Sequence, residues 1–407
     1  MIRNISIVLT GLMALCTIVS GCEKEIQRPE VTEPLMPDLG PEGTAGTIGT
    51  AEVTRQTVFS AAANNEVYRI PSIITAKDGS ILVFAEDRHE SWRDKSYTDV
   101  VVKRSDNNGK SWSAAVSITG SLNTGDYAFM DPTPVIDENT GTIYLFCNRW
   151  NELNTDVTNN RAFMSMSTDN GVTWSKPEDI TDKVVNAGMY CGGFGPGHGI
   201  MIKEGRYAGR LVLITRQNSA SGSGNCYAVY SDDGGNTWSI GGAVASGEAQ
   251  IAEAGEDRLY INIRRGAARY STFSLNGGES WSAAQQDVTL PSVDGGCQAS
   301  VLGTSGNMVF YCGPESGSPI DGNHDNRFGL KLFRSATGGS GWTRNQVLYE
   351  MASGYSDMTI LKDGSLAIIF EAGDEKGFIK SANRVPGWLR LDLMILPAEV
   401  TDYDYWF

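Results

Sequence analysis

The sequence of 407 residues is short of the side chains from which metal and redox sites are built. Its three histidines, His89, His198 and His324, show no HExxH pattern, so zinc hydrolase chemistry of that type is not indicated and no catalytic metal or cofactor is expected. Its seven cysteines include no CxxC pair. Setting aside Cys16 and Cys22 near the N-terminus leaves Cys147, Cys191, Cys226, Cys297 and Cys312, an odd set that supports neither a disulfide framework nor a zinc site. Positive charge is also scarce. The 33 Lys and Arg face 48 Asp and Glu, for a net charge of -15, and no basic run interleaves with aromatics, so nucleic acid is not an expected partner.

A membrane-length apolar run is missing as well. In "MIRNISIVLTGLMALCTIVSGC" the run from Ile5 to Val19 falls short of the roughly 20 residues a span needs, and with Arg3 before it and small residues after it has the three-part shape of an export signal. Its end, Val19, Ser20, Gly21 and Cys22, resembles the lipobox of bacterial lipoproteins. The resemblance implies that residues 1–21 are a signal peptide and that Cys22 is lipidated. It also implies an exported protein, lipid-anchored to a bacterial membrane in the periplasm or at the cell surface. Residues 22–49 are polar and rich in Pro, Glu, Gly and Thr, as a flexible tether would be. The folded part is expected at residues 50–407. That length exceeds what one core usually organises, unless small modules repeat.

Modules do repeat. "SDNNGKSW" at 105–112, "STDNGVTW" at 167–174, "SDDGGNTW" at 231–238 and "SLNGGESW" at 274–281 share one form, and "SATGGSGW" at 335–342 keeps its outline. Asp or Asn in third place is expected to bond amides two residues on, Gly in fifth place permits positive φ, and Trp should restart an apolar strand. The loop is too short for an EF-hand and lacks its bidentate Glu, so the alternating Asp, Asn and Gly are read as hairpin turns. Their recurrence roughly every 40 to 65 residues fits one four-stranded blade per repeat.

In the first unit the pattern predicts strands over 68–76, 81–87, 97–104 and 112–118. Further inner hairpins are expected to begin near Pro132, Gly197, Glu248, Cys297 and Ser356, with 52–60 as a spare strand that pairs with the last unit. The expected fold is all-β, a six-bladed β-propeller of four-stranded antiparallel blades. Antiparallel pairing would then place Arg69, Arg88, Asp94, Asp131, Glu248, Arg264, Arg327, Tyr355 and Glu371 on one face and the turns on the other. Arginines gathered at one opening suit a small anion bearing a carboxylate or phosphate.

With "YRIP" at 68–71, "MDPTPV" at 130–135, "GPGHGI" at 195–200, "YSDM" at 355–358 and the repeated turns, known as Asp boxes, residues 50–407 resemble the exo-α-sialidases. The resemblance implies a retaining hydrolase that removes terminal sialic acid from glycoconjugates through a covalent tyrosyl intermediate. It assigns Tyr355 as nucleophile, Glu248 as its activating base and Asp94 as acid/base, with Asp99 as the rival for that last role. Asp94 would need a carboxyl whose pKa is raised by partial burial. Arg69, Arg264 and Arg327 would form the triad that grips the sugar carboxylate, with Arg265 as the alternative to Arg264. Arg88 and Asp131 would contact ring substituents, Glu371 would orient Arg69, and Trp92 would stack on the aglycone. The expected partners are sialylated glycans, the membrane is met through the lipid anchor alone, and the protein is expected to be a monomer. Two rival readings are a trans-sialidase or hydrolase of another 2-keto sugar acid, and a non-catalytic glycan-binding Asp-box propeller.

Overall fold

In the computed structural model, which describes residues 46–48, 51–60, 66–151, 156–291, 293–304, 306–315, 321, 324–378 and 390–401, strands begin and end where Gly, Asp and Asn punctuate the apolar runs. The expected signal peptide, the lipidation site Cys22 and nearly all of the tether lie outside the described residues. No helix among the described residues is long and apolar enough to cross a membrane. Among the described residues the chain is all-β, with only short helical turns between strands.

Successive antiparallel meanders make up the sheets. Val67–Thr75 pairs with Ile81–Arg88, which pairs with Thr98–Ser105, and that with the two-residue Val116–Ser117. The same order recurs from Tyr127–Ile136, from Tyr190–Phe194, from Glu248–Glu253 and from Ser300–Gly303. The last meander joins the end of Thr343–Ile360 to Leu366–Ala372 and Arg390–Leu396, and Ala51–Ser60 completes it by pairing with Arg390–Leu396.

Three sequence expectations need correction. The first outer strand was expected over 112–118, but it is only Val116–Ser117: residues 112–115 are irregular, although the Ser113 amide already bonds the Arg104 carbonyl of the neighbouring strand. No strand begins at Gly197. The third inner strand is split into Tyr190–Phe194 and Ile200–Met201 by the Gly-Pro-Gly segment between them. Ser356 likewise starts nothing, because Thr343–Ile360 runs through it as one strand shared by two meanders.

The boxes close differently from expectation as well. Their third residue reaches four positions on: Asn107, Asp169, Asp233 and Asn276 accept from the amides of Ser111, Thr173, Thr237 and Ser280. The fifth-place Gly donates its N–H to the first-place Ser hydroxyl at 2.8–2.9 Å in these four turns. That glycine also touches the preceding meander. A Cβ on Gly171 would sit 2.0 Å from Leu82 Cδ2, one on Gly235 would strike the Tyr144 ring, and one on Gly339 the Tyr260 ring. Gly109, in the first meander, meets Leu393 and Ile395 of the last.

The apolar cores lie between neighbouring meanders. Leu82, Phe84 and Val102 of the first pack with Phe129, Leu145 and Phe163 of the second, while Ile73, Ile81 and Val83 of the first pack with Ile369, Leu391 and Leu393 of the last. Burying a Leu, Ile or Phe side chain contributes about 1.5–3 kcal/mol, so these interfaces hold adjacent meanders in register.

Candidate active site

Two features of the inner strands aim side chains at one place. The strands are buried on both faces, and they are broken by bulges. Register shifts fall between Arg69 and Ser72, between Met130 and Thr133, and between Ser353 and Ser356. Pro71 and Pro132 lie inside the first two, where proline removes no ladder bond. Ile70 and Asp131 take left-handed φ values of 52° and 55° there. A bulge re-aims the side chain beside it, which is how Arg69, Asp131 and Tyr355 leave the pleat.

Each bulge is pinned by a buried carboxylate from a neighbouring strand. Glu371 Oε1 accepts from the Ile70 amide at 3.1 Å and its Oε2 from the Tyr355 amide at 3.1 Å, while Oε1 also takes Arg69 Nε at 3.0 Å. Glu86 accepts from the Asp131 amide at 2.9 Å and from Arg88 Nε at 2.8 Å. Glu371 thus sits directly behind Arg69.

The cavity, of about 620 Å³, is lined by Arg69, Trp92, Arg93, Asp94, Gly247, Glu248, Arg264, Gly266, Arg327 and Tyr355. At its floor the Tyr355 hydroxyl donates to Glu248 Oε1 at 2.5 Å, and Arg264 Nη1 reaches both the Tyr355 oxygen at 2.8 Å and Glu248 Oε2 at 2.7 Å. The guanidinium carbons of Arg69 and Arg327 lie 5.6 and 5.5 Å from the Tyr355 ring centre. Three arginines therefore surround one phenol.

Electrostatics divides the roles of these groups. Burial and the Glu248 carboxylate hold the Tyr355 phenol well above its ordinary value, so it is neutral. Burial would raise Glu248, but Arg264 and Arg216 outweigh it and hold its carboxyl below the usual range, so it is ionised and ready to accept a proton.

Asp94 departs from expectation. Desolvation would raise its carboxyl, but Arg88, at 2.9 Å, and Arg69, at 3.7 Å, outweigh it, and the group is held low rather than raised. Its side chain is 67% exposed to the cavity, and it is the neighbouring cations that favour the anion.

Arg265 is exposed and lies over Tyr270, away from the cavity, which leaves Arg264 in the pocket. Asp99 bonds Thr119, Asn123 and His89 within its own meander. Arg88 is fully buried between Glu86 and Asp94, and neither it nor Asp131 lines the cavity. Trp92 lines the wall, packed near Val67, Ala352 and Phe378, and its carbonyl accepts from Arg88.

Three participants were missed in the sequence. Arg93 lines the cavity. Glu86 was legible, since its side chain falls on the same strand face as Arg88 two residues on. Arg216 was not, because nothing in "LITRQN" sets it apart. It donates to Asp131 Oδ2 and lies 3.9 Å from Glu248 Oε1.

Residues 71–368 match the family model of the BNR repeat-like domain. The chain is 27% identical over 345 residues to a sialidase of Micromonospora viridifaciens, spanning 79% of this chain and 52% of that protein. It is 26% identical over 346 residues to a sialidase of Bacteroides fragilis, spanning 76% and 60% respectively. It therefore spans between half and three-fifths of the length of these relatives. Among solved structures, the intramolecular trans-sialidase of Ruminococcus gnavus, in complex with oseltamivir carboxylate, superposes with a TM-score of 0.66 at 19% identity, covering 85% of this chain and 97% of that one.

Proposed function

We propose, for a chain that belongs to the BNR repeat-like domain family and is a relative of bacterial sialidases, that it is a retaining exo-α-sialidase acting on terminal sialic acid of glycoconjugates. The observation that carries this reading is the phenol of Tyr355, 2.5 Å from an ionised Glu248 and enclosed by Arg69, Arg264 and Arg327.

The chemistry follows from charge. The anomeric carbon of sialic acid bears a carboxylate, which three guanidinium groups would clamp. That carboxylate would repel an anionic nucleophile, whereas a neutral phenol can approach it. As Tyr355 Oη bonds the anomeric carbon, its proton passes to Glu248, and the glycosidic oxygen leaves with a proton from Asp94. Water, deprotonated by Asp94, then attacks the anomeric carbon and displaces Tyr355, which takes its proton back from Glu248, and the sugar is released with retained configuration.

Asp94 must be protonated for the first step, yet Arg88 and Arg69 hold its carboxyl low. An arriving substrate carboxylate changes this: it engages Arg69 and adds negative charge beside Asp94, and both effects raise the Asp94 pKa. The acid would thus be prepared by the substrate it serves.

The reading of the fold belongs with this proposal. We take the meanders as six blades of a closed propeller. Packing of the first meander on both the second and the last supports this, as does completion of the last by residues 51–60. Export through residues 1–21 and lipidation at Cys22 remain part of the same proposal.

Release of fluorophore from a 4-methylumbelliferyl α-sialoside, with and without chelator, tests the activity. Turnover that survives chelation, with sialic acid as product, is the expected result. Folded protein that releases no fluorophore overturns the reading.

A further inference from the structure

On the strand face turned away from the pocket, the hairpin that carries Arg69 and Arg88 holds a second polar cluster. Glu66 precedes the strand Val67–Thr75, while Asp87 lies near the end of Ile81–Arg88 and His89 just beyond it. One ligand atom from each of Glu66, Asp87 and His89 lies within 4.8 Å of the others. Because side chains alternate along a strand, Asp87 and His89 point opposite to Glu86 and Arg88. The cluster is therefore separate from the groups that serve the pocket.

We infer that Glu66, Asp87 and His89 bind one divalent transition-metal ion, of which zinc is the type, and that this ion braces the loop bearing Asp94 rather than taking part in catalysis. Two observations beyond the clustering of acids support the site. Asp87 is only 8% exposed, and its buried Oδ1, which has no protein N–H donor, lies 3.9 Å from His89 Nδ1 with the Glu66 carboxyl beside the same group. A buried carboxylate oxygen without a donor is costly, and an ion between Asp87 and His89 would satisfy it.

The second observation is the far side of the imidazole. His89 Nε2 lies 3.0 Å from Asp99 Oδ2, and Asp99 Oδ1 is itself fixed by Thr119 and Asn123. With Nε2 engaged by Asp99, Nδ1 is the ring nitrogen left facing Asp87. A carboxylate behind a histidine in this way sets the tautomer and orientation of metal-bound imidazole. Among ion pairs of the described residues, Asp87 and Asp99 are matched only with His89, so the cluster is short of positive charge.

One imidazole nitrogen with two carboxylates suits zinc better than calcium or magnesium. Tetrahedral zinc, with ligands at about 2.0–2.2 Å, sets its donor atoms roughly 3.4 Å apart. From separations of up to 4.8 Å, the side chains would need to close by as much as about 1.4 Å. The ion would tie the start of one strand to the end of the next. His89 also holds the far end of the loop, since its amide donates to the Tyr97 carbonyl at 3.1 Å and its ring stacks on Tyr97 at 4.2 Å. Trp92, Arg93 and Asp94 lie between those anchors.

Titration of the chelator-stripped full chain with zinc chloride, followed by calorimetry, tests the site. One equivalent should bind. Asp87→Asn and His89→Gln should each weaken binding at least tenfold, and Asp99→Asn by about 10–100-fold, while Arg69→Ala leaves it within twofold. No uptake by the unaltered chain, or equal affinity in Asp87→Asn and His89→Gln, overturns the inference. Should those variants fail to fold, anomalous diffraction at the zinc edge decides on the unaltered protein: a peak bonded to His89 Nδ1 supports the site, and its absence there overturns it.

Discussion

Tyr355 and Glu248 stand 2.5 Å apart, and the phenol is useful only while its partner is an anion. Tyr355→Phe removes the attacking oxygen and keeps the ring and all three arginines. Turnover should fall on the order of 10⁴-fold or more, while a carboxylate-bearing substrate analogue still binds within a few-fold in a calorimetric titration. Arg69→Ala has a different signature. It deletes one arm of the clamp and leaves Glu371 buried with its two amide donors but without its counter-charge, so kcat/KM should drop by the equivalent of about 2–5 kcal/mol, read from initial rates. The pH dependence follows from Glu248. With its carboxyl held low by Arg264 and Arg216 against burial, the base stays ionised below the ordinary glutamate value of about 4.3. The acid limb of kcat/KM should therefore lie below that pH, and Arg216→Gln, which removes one of the two cations, should move it upward. The same depression implies that Glu248 contributes stability that is present above the unfolded pKa and is lost as pH falls through the folded one. Arg216 escaped notice in the sequence because its importance lies in reaching Asp131 and Glu248 on other meanders, across distances along the chain that no local motif spans.

At the scale of elements, bulges and turns do the positioning. A proline inside an apolar run signals a break in the ladder, and "YRIP" and "MDPTP" both deliver one, so the bulges at Arg69 and Asp131 were legible as interruptions. What they aim at was not legible, because the direction of a bulged side chain depends on the carboxylate that takes the freed amide, Glu371 in one case and Glu86 in the other. The Asp-box turns show the same division. Their existence could be read directly, but the four-residue reach of the Asp or Asn and the contact of the glycine with the preceding meander could not. Gly171 holds φ at 80° and has Leu82 in the space a methyl group would fill. Gly171→Ala should cost about 2–4 kcal/mol through strain and overpacking, visible as a lower urea midpoint with an unchanged slope.

For the whole molecule, the pairing of Ala51–Ser60 with Arg390–Leu396 brings one end of the described chain against the other. It is reinforced by the buried Arg55 and Asp392 at 3.6 Å and by Thr57 donating to Asp392 at 2.8 Å. A chain beginning after Ser60 would leave the Arg390–Leu396 strand as an open, largely apolar edge. It should aggregate, or unfold at a markedly lower temperature than the full chain, as judged by size-exclusion chromatography and thermal melting. The sequence by itself determined that the chain is all-β, that it repeats, where its turns fall, and which arginines and carboxylates sit at strand ends, because hydrophobic alternation and turn chemistry are local. Only the tertiary structure decided that Asp94 rests as an anion between two arginines, that Arg216 bridges Asp131 and Glu248, and that Arg264 rather than Arg265 faces the pocket. Those outcomes depend on burial and on charges contributed by distant strands, and neither is defined until the meanders have packed together.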